Sequence, residues 1–280
     1  MKKICLAVFL MASIYCTNGQ TSPRTFYTIS NGWTDLNISG KIAGKFSWTL
    51  ENQQRREDMQ GDYNTANTTG NLYNTFNQHL FRPYIHYQAN PNLRFSLMPL
   101  GWIGSNRFAA GVPSAFFSEL RMSPQTILTQ NYGRVRIDSR LRYEFRWIGK
   151  NQSVTEKSFL YDGDFSTIIK RQRIRYQLKA TVPLNKPKME DKTLYAQAFN
   201  ELFVGMGKNV ANTNLLDQNR ILIGVGYKFN KFVAFEAGFM RQSIFRFNNA
   251  TKDNVDRNNI FQTNLAITNV EQIFRKEKKK

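Results

Sequence analysis

The sequence predicts an all-β protein: an antiparallel transmembrane β-barrel of about 12 strands, with 10 as the alternative, behind a cleaved signal peptide. Three observations carry this reading. One run has a charge at every second position, the same period of two recurs along the 280-residue chain, and short connections alternate with longer polar ones. Composition removes competing classes. Aromatic residues make up 14% of the chain and hydrophobic residues 41%, apolar surface that disordered chains lack. No stretch of about 18 uncharged apolar residues occurs, which excludes a membrane helix bundle. Barrel strands are short and alternating, so a mean hydropathy of −0.49 is compatible with them.

The elements follow in chain order. Lys2 and Lys3 precede an apolar run from Ile4 to Tyr15 and then a small polar stretch ending at Gly19 and Gln20. This is the layout of a secretory signal, taken as residues 1–19. Removing Lys2 and Lys3 from the 39 basic residues leaves 37 against 20 acidic, a charge of +17. Both cysteines, Cys5 and Cys16, leave with the segment. That removes a disulfide framework, thiolate metal ligands and a cysteine nucleophile. A lipid anchor at Cys16 fits badly after the bulky Tyr15.

Twelve strands are predicted over 24–30, 33–41, 45–56, 78–88, 93–103, 115–125, 134–147, 171–182, 194–204, 218–229, 233–242 and 260–269, within one barrel domain over 20–270. Asn31-Gly32 reads as a type I′ hairpin turn between the first two. That turn also makes the strand count even, as a closed single-chain bacterial barrel requires. Pro83 and Pro99 weaken two of the strands, because proline cannot donate to a ladder. Short links at 42–44, 89–92, 126–133 and 230–231 alternate with longer ones at 57–77, 104–113, 149–164 and 246–259. Outer-membrane barrels place their short turns in the periplasm and their long loops outside. Residues 271–280 read as a basic, solvated tail.

The run 134–147 is the clearest. Arg134, Arg136, Asp138, Arg140, Arg142, Glu144 and Arg146 alternate with Val135, Ile137, Leu141, Tyr143, Phe145 and Trp147, Ser139 being the exception. Only a strand separates two such sets. Fourteen residues at about 3.3 Å each suit a tilted bilayer crossing better than a soluble strand. Charge then assigns the faces. Rows containing Arg171, Arg173, Arg175 and Arg220 cannot be buried in a dry core without partners. A membrane barrel gives them a polar lumen and turns Trp48, Phe95, Tyr143, Phe145, Trp147, Tyr227 and Phe239 toward lipid. A soluble lipocalin-like barrel is the competing architecture and does not need strands this long.

Several segments together resemble one family. Trp33, Glu51 with Arg55, Glu119-Leu-Arg121 with Gln125, the run from Arg140 to Arg146, Arg173-Ile-Arg175-Tyr, Glu201-Leu-Phe203 and the run from Asn219 to Tyr227 are similar to the Bacteroidota outer-membrane family catalogued as domain of unknown function 2490. The resemblance covers nearly the whole mature chain and implies an outer-membrane barrel with no assigned activity. One departure is the end of the chain, which runs past Phe274 to Lys280 instead of stopping on an aromatic residue.

The lumen-lining set is therefore Glu51, Arg55, Glu119, Arg121, Arg134, Arg136, Arg140, Arg142, Glu144, Arg146, Arg171, Arg173, Arg175, Glu201, Arg220 and Glu236. Opposed rows can meet as a salt-bridged plug. Arginines left unmatched would form a narrow conduit attracting small anionic solutes. The alternative class is a lipid hydrolase using His79 and Ser105, both read as lipid-facing, with Asn52 or Gln54 to orient the histidine. His86 shares parity with Arg82 and Tyr84 and points inward. Two histidines away from any acidic cluster support no metal site or cofactor. Outer-membrane lipids are the expected partners. Nucleic acid is excluded by the secretory signal and by arginines set in strand rows. Oligomeric state is open.

Overall fold

A computed structural model describes residues 24–58, 72–73, 75–109, 112–149, 152–153, 168–210, 216–248 and 252–277. The predicted signal segment lies outside these. The chain forms β1 (Arg24–Ala43), β2 (Phe46–Glu57), β3 (Thr75–Asn90), β4 (Leu93–Ala109), β5 (Val112–Tyr132), β6 (Val135–Ile148), a two-residue β7 (Gln152–Ser153), β8 (Ile169–Pro183), β9 (Thr193–Met206), β10 (Gln218–Lys228), β11 (Val233–Asn248), β12 (Lys252–Ile267) and a helix α1 (Val270–Glu277). Sequential strands pair antiparallel from β1 round to β12. The ring closes by β1 on β12, while β7 only extends the edge of β5. The barrel thus has 11 strands, neither 12 nor 10.

The missing strand is the predicted hairpin at Asn31-Gly32. A type I′ turn requires positive φ at both central residues, and neither residue is among those with positive φ. Instead Asn31 and Gly32 sit inside one twenty-residue strand, paired to Ile260 and Phe261 on one side and to Glu57 and Arg56 on the other. Gly32 serves a close approach: a Cβ there would lie 2.6 Å from the Tyr73 ring. With one strand fewer, β1 and β12 run in the same direction, and the closing ladder is parallel over Arg24↔Asp253 to Ile38↔Ile267. An odd count also puts the start of β1 and the end of β12 at opposite ends of the barrel.

The tight turns lie at one end, called here the turn end. Gly44 and Gly133 hold positive φ there, 51° and 58°, which explains glycine at both positions. The opposite, loop end carries the connections after β2, β6 and β9. Strands extend further toward it than expected: β4 and β5 take up 104–109 and 112–113 of the predicted loop over 104–113, and β11 and β12 take up 246–248 and 252–259 of the one over 246–259. The link expected over 126–133 is largely the end of β5. Part of the tail forms α1, whose Glu271 accepts a hydrogen bond from the Lys41 amide at 3.0 Å.

The two prolines are accommodated by an irregularity. Between Phe81↔Trp102 and Ile85↔Leu97, four steps on β3 face five on β4. Between Met98↔Ser123 and Gly101↔Arg121, β4 again carries the extra residue. This β-bulge at Pro99-Leu100 absorbs a residue without a backbone donor. It also inverts the parity of β4: Ser96 and Met98 point inward before it, Gly101, Ile103 and Ser105 after it.

Outside the bulge, the two faces separate as expected. Phe239 is 73% exposed and Ile223 69%, with Phe95, Ile85, Leu141, Ile221 and Phe235 also exposed on the outer wall. On β8 the outward set Ile174, Tyr176, Leu178, Ala180 and Val182 is free of charge. Nine residues at about 3.3 Å, tilted by about 40°, give a belt roughly 23 Å tall.

Candidate functional site

Eleven strands spaced by about 4.8 Å and tilted by about 40° give a backbone diameter of roughly 22 Å. Long side chains from several strands converge within that width and close the lumen at mid-height. At mid-height every strand of the ring contributes a buried inward side chain: Trp33, Arg55, Leu80, Met98, Arg121, Glu144, Arg175, Glu201, Arg220, Met240 and Ile260 in strand order.

The wall from β5 to β10 is ionic. Glu144 is fully buried. One of its oxygens accepts from Arg173 Nε and Nη2 at 2.9 and 2.6 Å, the other from Arg175 Nη1 at 2.7 Å and Arg121 Nη1 at 3.4 Å. Arg175 also donates from Nη2 and Nε to Glu201 at 2.8 and 3.1 Å, where Arg140 Nη2 arrives at 2.7 Å. Glu119 accepts from Arg121 Nη2 at 2.6 Å and from Arg146 through two bonds of 2.7 and 2.8 Å. These contacts form one continuous chain, Arg146, Glu119, Arg121, Glu144, Arg175, Glu201, Arg140. A buried charge costs several kcal/mol to desolvate, and bonds of this length and multiplicity are what offset it.

The carboxylates are outnumbered, and aromatic faces take part of the excess. The Arg55 guanidinium lies 3.7 Å from the Trp33 ring centre, with Arg220 at 5.1 Å from the same ring. Phe203 has Arg175, Arg220 and Arg173 at 4.5, 4.7 and 4.9 Å. Desolvated cation–π contacts of this kind contribute about 2 kcal/mol each. An apolar patch adjoins it from β9 round to β1: Trp33, Leu222, Met240 and Ile260 pack together, with Phe199 against them.

A cavity of about 220 Å³ lies on the turn-end side of this layer. Its inner surface includes Trp33, Arg55, Arg142, Glu201 and Arg220, all buried. Toward the mouth come Lys179, Glu236 and Glu51, whose side chain is 26% exposed. Inward glycines make the room: Gly224 faces Gly238 across β10 and β11. The Tyr195 ring covers Gly226 and donates its hydroxyl to Glu236 at 2.8 Å.

The chain belongs to the family described as Protein of unknown function (DUF2490). The match spans residues 30–254, which include every lumen carboxylate and arginine named above. No curated protein and no solved structure matches the chain.

Most of the predicted lumen set does converge. Glu119, Arg121, Arg140, Arg142, Glu144, Arg146, Arg173, Arg175, Glu201 and Arg220 form or flank the ionic layer. Glu51 pairs with Arg82 at 3.1 Å, and Glu236 accepts from Tyr195 and Asn264. Arg171 stands on the inward row of β8 at the loop end, paired across the ladder with Arg146. Arg136 is inward but at the mouth, 54% exposed and paired with Asp138. Arg134 is a correction: it lies in the Gly133-Arg134 turn, and its Nη2 donates to the carbonyls of Pro183 and Lys186 at 2.8 and 2.7 Å. A residue at a turn has left the strand's alternation, so parity no longer places it.

Ser105 is the second correction. It points into the lumen, accepting from Gln78 Nε2 at 2.8 Å, because the Pro99 bulge inverts β4. His79 does face outward, bonded to Asn52 at 3.0 Å and edge-on to Trp102. Ser105 and His79 thus lie on opposite faces. The serine that shares the outer row with His79, across Gly104, is Ser118, and at 1% exposure it is buried. His86 points inward, between Ser96 at 2.7 Å and Thr49 at 3.0 Å.

Sequence reasoning missed the inward aromatics. Phe203 shares parity with Glu201, and Trp33 with Asp35, so the alternation held that information. Among the aromatics only Tyr84 is read as inward from the sequence, and Trp33 and Phe203 are given no face there.

Proposed function

We propose that this protein spans a bacterial outer membrane as a barrel closed to solute flow, a rigid structural or receptor-type element and not an open pore. One observation carries the reading: each of the eleven strands sends a buried side chain into the lumen at mid-height, with buried charges inside and a largely apolar face outside. An aqueous channel would leave Glu144, Arg173 and Arg175 accessible to water. An apolar belt around a soluble monomer would exceed the exposed patches such proteins carry. The buried ion-pair chain ties β5, β6, β8 and β9 together within one wall and stiffens it, as connected polar networks do.

Membrane fractionation and planar-bilayer recording test this together. The protein is expected in the outer-membrane fraction, released by detergent and not by salt or carbonate, and silent in the bilayer. Glu144→Ala combined with Arg175→Ala, which breaks the ion-pair chain at its centre, is expected to introduce conductance. Steady ohmic current with anion selectivity from the unaltered protein would replace the closed barrel with the arginine-lined pore. Recovery in a soluble fraction would remove the membrane assignment.

A further inference from the structure

The lumen cavity carries a charge imbalance that the barrel does not need for closure. Seven basic side chains line it against four carboxylates. Two of the carboxylates are already engaged: Glu51 by Arg82, and Glu201 by Arg140 and Arg175. Arg142 and Arg220 reach a carboxylate only at 4.0 and 3.8 Å. Arg55 forms its hydrogen bonds with the neutral amides of Gln53 and Gln78. For Arg55 and Lys179, no ion pair within 4.0 Å occurs among the described residues. Concentrating guanidinium groups that have long ion pairs or none is unfavourable for the empty barrel and raises the local potential for anions.

The shape gives the cavity a direction. Its inner members are buried at mid-height, while Glu51, Lys179 and Glu236 at the turn end are partly exposed. Access is therefore from the turn end, and the cavity ends blind against Trp33, Leu222 and Met240. At about 30 Å³ per water it holds on the order of seven waters, or an anion of about a dozen covalently joined heavy atoms, the size of citrate.

We propose that this cavity is a binding pocket for a small, multiply charged oxyanion, entered from the turn end and held by Arg55, Arg142 and Arg220 with Lys179 at the mouth. Planar guanidinium forks match the oxygen pairs of phosphoryl and carboxylate groups. The surplus of three positive charges suits a di- or trianion better than a monoanion. Asp35, Glu51 and Glu236 on the cavity wall set the limit on size and charge by repelling anions that press against them. The proposal rests on the lumen being blind at mid-height. Binding is read in detergent micelles, so it is independent of membrane location and of conductance.

Titration calorimetry on the full-length protein in a zwitterionic detergent, at low ionic strength, tests it with inorganic phosphate, citrate and, as the cationic control, putrescine. Saturable one-to-one binding of phosphate or citrate with a dissociation constant of about a millimolar or tighter is expected, with no binding of putrescine. Phosphate alone would identify a phosphoryl pocket, citrate alone a carboxylate pocket, and both the shared oxyanion chemistry. Lys179→Gln leaves the buried ion pairs untouched and is expected to weaken binding several-fold. Arg55→Gln is expected to weaken it at least tenfold while the folded electrophoretic band is retained. Lys186→Gln, outside the lumen, is the control for surface adsorption and should change nothing. No saturation by either anion, or equal binding by the wild type and Lys179→Gln, would overturn the pocket. So would loss of binding with Lys186→Gln.

Discussion

Replacing Glu144 by glutamine is the sharpest perturbation of the ionic layer, because the side chain keeps its size and loses only its charge. In the wild type, one oxygen accepts two bonds from Arg173 and the other accepts from Arg175 and Arg121, with the shortest at 2.6 and 2.7 Å. The glutamine amide has one acceptor and one donor. Whichever way it turns, an NH₂ group confronts either Arg173 or the Arg175–Arg121 pair, and that guanidinium loses its acceptor. Hydrogen bonds to charged groups contribute about 1.5–3 kcal/mol each, and removing one partner of a buried pair costs about 3–5 kcal/mol. A loss of about 3–5 kcal/mol is therefore expected from Glu144→Gln. Urea unfolding of the vesicle-reconstituted protein, followed by tryptophan fluorescence with linear extrapolation, measures it. The comparison is Glu190→Gln, whose carboxylate pairs with Lys186 at 3.0 Å but is 57% exposed; such pairs contribute about 0–1 kcal/mol. If the two variants lie within about 1 kcal/mol of each other, the ion-pair chain does not hold the barrel and the reasoning fails.

Three further outcomes are expected. Trp33→Ala removes the ring beneath Arg55 and Arg220 and opens a void beside Leu222, Met240 and Ile260, so the same unfolding measurement should show a loss of about 3–5 kcal/mol; a change under about 1 kcal/mol would mean that the aromatic face does not carry the two cations. Gly226→Val places a Cβ 2.3 Å from the Tyr195 ring, which must move and give up its bond to Glu236, and a loss of about 1–3 kcal/mol should follow; wild-type stability would show that Tyr195 is not seated there. Single cysteines at Phe26 and Thr268, in a background without other thiols, should react with an impermeant maleimide from opposite sides of the membrane, the first together with a cysteine at Lys208 and the second together with one at Lys186. Labelling of both from one side would restore an even strand count.

Alternation along each strand was enough to predict an all-β barrel and its two faces, because a period of two needs only neighbouring residues to be visible. The same property made the lumen set legible: Arg140, Arg142, Glu144, Arg173, Arg175 and Glu201 were assigned inward and are found there. What alternation cannot detect is its own interruption. The bulge at Pro99 adds one residue to β4 and moves Ser105 from the outer face to the inner one; the proline signals a break in the ladder, but only the pairing with β3 and β5 shows that the strand continues past it with its parity inverted. Asn31-Gly32 has the composition of a hairpin turn, yet the partners available on β2 and β12 hold it in one long strand.

The sequence by itself determined which residues alternate, that a short turn follows Ile42, and that the charged rows need water or partners. Only the tertiary structure decided the number of strands, the parallel seam between β1 and β12, and which carboxylate each arginine meets. The physical reason is distance along the chain. Faces and turns are set by contacts between residues a few positions apart, whereas ring closure and the Glu144 and Glu201 ion pairs join residues tens to hundreds of positions apart. Their geometry exists only once the barrel has closed.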